Sequence, residues 1–144
     1  MPAQTVAVAS DHAGFELKET VKILLAEKGY AVLDLGTNGT QSVDYPDFGK
    51  ALADAVAAGR AQRGVGICGS GIGISIALNR KPGVRAALCH DVLDARLARQ
   101  HNDANVLALG ARTTGIDVVK ACIETFLDTP FEGGRHARRV EKLG

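Results

Sequence analysis

Short apolar runs alternate with helix-period patterns along the chain, the signature of repeated βα units that build a parallel sheet. Thr5–Ala9 reads as the first strand. Leu17, Val21, Leu24 and Leu25 then recur on one face of a helix that Gly29 can close in a left-handed conformation. Tyr30–Leu35 reads as the second strand. Pro46 suits the first turn of the next helix, which turns Leu52, Ala55 and Val56 inward and ends at Gly59. Val65–Cys68 is the third strand, followed by a glycine-rich turn and a helix over about 72–79. A strand over Val84–Cys89, a helix over Val92–Gln100 and a strand over Val106–Leu109 continue the alternation. Thr114-Gly-Ile-Asp117 reads as a capping box opening the last long helix, with Ile116, Val119 and Ile123 buried. The pattern predicts an α/β fold on five parallel strands.

No repeat, low-complexity tract or linker interrupts the 144 residues, so one domain over 1–144 is expected. A chain of this size hides about 68–70% of the surface its unfolded form exposes, enough for a core without disulfides or structural metal. Seventeen Lys and Arg stand against 16 Asp and Glu. That balance argues against a nucleic-acid or membrane-surface binder, since both need a broad basic face. No apolar run approaches a membrane span, and Met1-Pro2-Ala3-Gln4 carries no export signal, so a cytoplasmic location is expected. The tail over 131–144 differs: Arg135, Arg138, Arg139 and Lys142 outweigh Glu132 and Glu141. A solvated face is the plain reading of such a helix, yet Gly133-Gly134 before it suggests a projecting segment.

In open parallel sheets ligands bind beyond the carboxyl ends of the strands. There this chain collects Ser10-Asp11-His12, Asp44-Tyr45, Cys68-Gly69-Ser70-Gly71-Ile72-Gly73, His90-Asp91 and Arg112-Thr113-Thr114. Asp91 and Thr114 suit helix caps; the five turns together read as a site. In the 68–73 turn, alternate glycines allow a tight bend that gathers N–H groups at a helix start, a seat for phosphate or a developing oxyanion. Cys68 opens that turn, where a thiol tends toward the thiolate, although a buried structural thiol is the competing reading. A dinucleotide fingerprint is absent: the motif is GxGxG, after the third strand rather than the first.

Cys68, Cys89 and Cys122 lack CxxC spacing and read as reduced thiols. His12, His90, His101 and His136 show no local metal-binding spacing, so no metal is expected short of convergence from distant positions. A Cys68–His101–Asp11 hydrolase triad has no local signature, because triads are recognised by geometry.

Several ordered motifs carry a resemblance: Ser-Asp-His-Ala-Gly-Phe at 10–15, Asp-Tyr-Pro at 44–46, Cys-Gly-Ser-Gly-Ile-Gly-Ile-Ser-Ile-Ala at 68–77, Arg-Gln-His-Asn-Asp-Ala-Asn-Val-Leu at 99–107 and Glu-Gly-Gly-Arg-His at 132–136. The chain resembles the ribose-5-phosphate isomerase B family, which also holds the galactose-6-phosphate isomerase subunits. The resemblance implies a Rossmann-like three-layer αβα sandwich with a five-stranded parallel sheet, assembled as homodimers or tetramers. It implies interconversion of ribose 5-phosphate and ribulose 5-phosphate without metal or organic cofactor. By the same resemblance Cys68 is the base; another branch has Ser there and Glu at the position of Ile74, so Ile74 agrees with a thiol base. Asp11 and His101 open the furanose ring, Ser70 touches O1 and O2, and Gly69, Gly71 and Gly73 form the anion hole. Asn102 contacts substrate, Tyr45 packs near the sugar, and His12, Arg112, Arg135 and Arg139 hold the phosphate.

The chemistry agrees with these roles. One base can move a proton from C2 to C1 through an enediolate if preorganised N–H donors meet the oxygens. Arginines suit a phosphate because the planar fork binds it bidentately and stays charged. Two further readings stand beside this one: isomerisation of allose or galactose 6-phosphate, and a non-catalytic phosphate- or nucleotide-binding module. One relation bears on assembly. A helix ending near Gln100 runs back to the amino edge of the sheet, so His101 and Arg112 bracket the fifth strand, about 20–30 Å apart at 3.3 Å per residue. A single small pocket cannot use both, and a site shared across a two-fold interface is expected.

Overall fold

The structure, a computed structural model, describes residues 4–144. Met1, Pro2 and Ala3 lie outside the described residues. Strand β1 (Thr5–Ser10) leads to α1 (Phe15–Glu27), β2 (Ala31–Asp34), α2 (Tyr45–Ala57), β3 (Arg63–Cys68) and α3 (Ile72–Leu78). Strand β4 (Ala86–Leu88), α4 (Val92–Asn102), β5 (Val106–Gly110), α5 (Ile116–Asp128) and the short α6 (Arg135–Glu141) follow. All strand pairs are parallel, in the order β2-β1-β3-β5-β4. The observed architecture is the Rossmann-like αβα sandwich that the sequence led us to expect. No helix among the described residues is long and apolar enough to cross a membrane.

The two faces of the sheet are unequal, because successive residues point to opposite sides. Val6, Val8, Val65, Ile67, Leu107 and Leu109 turn to one face, where α1, α4 and α5 cover them with Leu25, Ala95, Ile123 and Phe126. Each large side chain fully buried there contributes about 1.5–3 kcal/mol. Ala7, Ala9 and Ala108 turn to the other face, with Gly64 and Gly66, beneath α2 and α3. A Cβ on Gly64 would stand 2.9 Å from Leu52 Cδ1, and one on Gly66 3.0 Å from Leu78 Cδ1. The missing side chains let α2 and α3 settle close to the sheet. Cys68 ends β3 on this tightly packed face.

Several expected boundaries move for identifiable reasons. Strand β4 is three residues long rather than six. Asn105 Oδ1 accepts the Arg85 N–H, while Asn79 takes both the N–H and the C=O of Ala86, so side-chain amides hold the start of this edge strand. The Thr114 cap is overturned: Gly115 is the N-cap of α5 with no side-chain bond, and Ile116 is 45% exposed rather than buried. Thr114 N–H instead bonds back to Gly110, tying this residue to the turn after β5. Asp91 does cap α4, accepting the Asp94 N–H at 2.8 Å. Val119 and Ile123 are buried as expected, and Gly29 and Gly59 close their helices at φ of +90° and +78°.

Candidate active site

The turn after β3 forms the floor of a cavity of about 620 Å3 at the carboxyl edge of the sheet, lined also by Asp11, Tyr45, Arg112 and Thr113. Cys68 is only 4% exposed, and the Gly71 N–H donates to its Sγ at 3.2 Å. The Gly71 amide hydrogen thus faces the sulfur. Gly71 adopts φ +78°, a conformation costly for any residue with a Cβ, and its backbone lies against Leu88 and Leu109. Gly73 serves a different purpose: a Cβ there would lie 2.6 Å from the Tyr45 ring. The alternate glycines thus divide the work between a left-handed turn and room for an aromatic wall.

Each polar group around the cavity is fixed by its own element. Asp11 follows β1, and its Oδ1 accepts the Gly14 N–H at 3.1 Å, closing the turn into α1. Ser70 Oγ accepts the Ile72 N–H at 3.2 Å, which leaves its own proton for donation outward. The turn after β5 is pinned to the turn after β3: Ala111 N–H donates to Cys68 C=O and Arg112 N–H to Gly69 C=O, both at 2.9 Å. The Arg112 guanidinium consequently packs over Gly69, where a Cβ would come within 3.4 Å of Nη1. The Val43 N–H donates to His12 Nδ1 at 3.1 Å, so a neutral His12 carries its proton on Nε2.

The remaining candidates gather elsewhere. His101 occupies the last turn of α4, and its ring stacks on that of His136 at 4.3 Å between centroids with 13° between planes. Asn102 lines a separate cavity of about 430 Å3 with Val84 and Ala86, at the amino end of β4. Arg135 and Arg139 lie exposed on α6, which packs against α4 and buries no residue of its own. The register puts Gly64 level with Val106 and Cys68 level with Gly110, so the first group lies at the carboxyl edge and the second at the amino edge of the same sheet.

Thr113 beside Arg112, and the exposed Ile72 and Ile76 on α3, also line the cavity of Cys68. Ile72 and Thr113 fall in turns that the sequence singles out, whereas the apolar Ile76 carried no chemical signal there. Glu132 and His136 were visible only as part of a motif, although their i, i+4 spacing could have paired them. His101, Glu132 and His136 offer ligand atoms within 4.8 Å of one another, the one such trio among the described residues. The stacked rings aim their in-plane lone pairs side by side rather than at a common point, so holding an ion there would require breaking the stack.

An open α/β sheet thus gathers thiol, carboxylate, hydroxyl and guanidinium around one glycine-rich turn at its carboxyl edge. The sequence profile of the Ribose/Galactose Isomerase family matches residues 6–143, and the chain belongs to that family, as a sugar-phosphate isomerase. It is 44% identical over 138 residues to ribose-5-phosphate isomerase B of Escherichia coli K12, covering 96% of this chain and 93% of that one. It is 43% identical to the D-erythrulose-4-phosphate isomerase of Pectobacterium atrosepticum, over 97% of this chain and 93% of the relative. The solved ribose-5-phosphate isomerase B of Clostridium thermocellum superposes with a TM-score of 0.97 at 50% identity, covering 98% of this chain and 95% of that one.

Proposed function

We propose that the chain interconverts ribose 5-phosphate and ribulose 5-phosphate through an enediolate, with Cys68 as the base and a site completed by a second copy. The observation that carries this reading is the Gly71 N–H on Cys68 Sγ inside a cavity that also holds Asp11, Ser70 and Arg112. A module that merely binds phosphate has no use for a thiol there.

In this reading Asp11 and His101 open the furanose: the O1 proton leaves, the ring oxygen takes one up, and the C1–O4 bond breaks to give the aldehyde. The Cys68 thiolate then removes the C2 proton. The electron pair moves into a C1–C2 double bond while O1 becomes an oxyanion held by amides of the 69–73 turn other than Gly71 and Ile72, whose N–H groups bond Cys68 Sγ and Ser70 Oγ. Ser70 gives its hydroxyl proton to O1 and takes the O2 proton in return, so the negative charge passes to O2; the Cys68 thiol returns its proton to C1 as the O2 electron pair forms the C2 ketone. Each N–H donor aimed at such an oxyanion is worth about 10²–10³ in rate. The steps draw on no metal or organic cofactor.

Phosphate binding falls to Arg112 and the Nε2–H of His12 on one chain, with Arg135 and Arg139 of a second. Arg112 shares a cavity with Cys68, whereas His101, Asn102 and the α6 arginines lie at the other edge. A two-fold dimer brings the amino-edge group of each copy to the carboxyl-edge cavity of the other and produces two sites at once. The exposed Ile72 and Ile76 at the cavity rim are the apolar surface such a contact would cover.

Six-carbon substrates are the second reading, supported by the family's inclusion of galactose isomerases. Rates on ribose 5-phosphate, allose 6-phosphate and galactose 6-phosphate, measured side by side, test the choice. A higher kcat/KM on either hexose phosphate would overturn the five-carbon assignment, and no turnover of any would favour the binding module.

A further inference from the structure

His101 does not stand alone at the end of α4. His136, 12% exposed against 42% for His101, stacks on it from α6. Glu132 Oε1 lies 3.9 Å from His101 Nε2 and 3.6 Å from His136 Nε2, so one carboxylate serves two imidazoles. The backbone fixes this arrangement: Glu132 N–H donates to Gln100 C=O at 3.1 Å, one residue before His101, and His136 N–H donates to Gly133 C=O at 3.0 Å. The left-handed Gly133 and Gly134 make the reversal that brings α6 back onto α4. A loop that only tethered a cationic tail would not need an aromatic ring laid flat on the candidate ring-opening histidine.

Two stacked imidazolium rings would repel, and a single carboxylate can neutralise only one. Burial, then the neighbouring charges of His101 and Arg135, push the His136 pKa down, outweighing the opposing pull of Glu132.

We propose that His136 is a positioning residue: its ring, with Glu132 bridging both Nε2 atoms, fixes the plane in which His101 reaches a sugar held by the partner subunit. The proposal rests on the reading of His101 as a ring-opening group. A free imidazole rotates about two torsions, and misplacement of a reacting group by about 1 Å costs on the order of 10²-fold. The stack removes that freedom before substrate arrives, while leaving the outer edge of His101 open.

The test is a kinetic series on ribose 5-phosphate with inorganic phosphate as a competitive probe of the arginine cluster. His136→Ala is expected to lower kcat about 10- to 100-fold with KM and the phosphate inhibition constant within about two-fold. His136→Phe, which keeps a stacking ring without a titrating nitrogen, is expected to recover most of kcat. Unchanged kcat in His136→Ala would overturn the proposal. So would a rise in KM and in the phosphate inhibition constant at constant kcat, because that pattern means His136 only anchors Arg135 and Arg139. If His136→Ala does not fold, the comparison of His136→Phe with Glu132→Gln decides: a lower kcat in Glu132→Gln alone sustains the bridge, and wild-type kcat in both overturns it. His101→Ala run in parallel separates the layers. Full activity in that variant sinks the underlying reading of His101, whereas a slow His101→Ala beside a fast His136→Ala sinks only the positioning role.

Discussion

The backbone N–H of Gly71 donates to Cys68 Sγ across an N···S distance of 3.2 Å, and the turn that aims it needs the left-handed φ of +78°. A Cβ at Gly71 would lie 2.6 Å from Leu88 Cδ1 and 2.8 Å from the Leu109 carbonyl carbon. Gly71→Ala therefore combines a conformational cost of about 1 kcal/mol with a clash against backbone. It is expected to lower the unfolding midpoint and reduce kcat well beyond what the stability loss explains, measured by thermal melts and steady-state rates at a temperature where the variant is folded.

Asp11 has a structural and a chemical use that one substitution separates. Asparagine can still accept the Gly14 N–H through its Oδ1 but cannot take up or hold charge. Asp11→Asn is expected to melt within a few degrees of wild type while kcat on ribose 5-phosphate falls about 10²-fold or more. Asp11→Ala is expected to lose a further ~1 kcal/mol of stability, the usual cost of removing such a cap.

Lys18 and Asp34 test the scaffold. The Lys18 ammonium is fully buried and lies 2.9 Å from both Asp34 oxygens. Burial alone would raise the Asp34 pKa, but hydrogen bonds from Lys22, Lys18 and the Gly36 N–H together hold it below the ordinary 3.8. A carboxyl lowered on folding contributes stability above its unfolded pKa and loses it as pH falls through the folded one. The stabilisation is thus expected to be complete above about pH 5 and to fade progressively below pH 4, read from urea midpoints. Asp34→Ala leaves the buried Lys18 ammonium only Glu19 Oε2, at 3.0 Å, as a partner and is expected to cost up to about 3 kcal/mol, whereas Lys18→Met should be far milder.

The family's substrate range offers a way to isolate ring opening. A four-carbon aldose 4-phosphate cannot close a furanose because its O4 is esterified, and one relative is named for the corresponding four-carbon ketose. His101→Ala is expected to lose about 10²-fold or more on ribose 5-phosphate yet keep most of whatever rate the unsubstituted chain shows on the four-carbon substrate. Equal losses on both, measured by coupled assay, would place His101 in proton transfer at C2 rather than at the ring.

Much of the carboxyl edge was legible because βα alternation alone decides which residues follow each strand. Asp11, Tyr45, Cys68, Ser70 and Arg112 share a cavity as that rule requires. The failures are local. Thr114-Gly-Ile-Asp117 matches a capping box, but Thr114 bonds back into the turn after β5, so α5 starts at a glycine cap with Ile116 outward. The late start of β4 depended on Asn79 and Asn105, whose amides take the backbone groups of Ala86 and Arg85 from 7 and 20 residues away. The His101–His136 stack was invisible for the same reason: only the reversal at Gly133-Gly134 brings α6 onto the end of α4.

Mixing two inactive variants tests the shared site most directly. Cys68→Ala and His101→Ala damage opposite edges of the sheet. In a dimer pairing one of each, one site carries both lesions and the other carries neither. After dissociation and random reassortment of equal amounts, half the dimers are mixed, so about one quarter of wild-type activity is expected to return. Each variant treated alone should stay near its own residual rate. No recovery in a preparation shown by mass spectrometry to contain the mixed dimer would mean that each chain supplies its own histidine, and the shared site would be wrong.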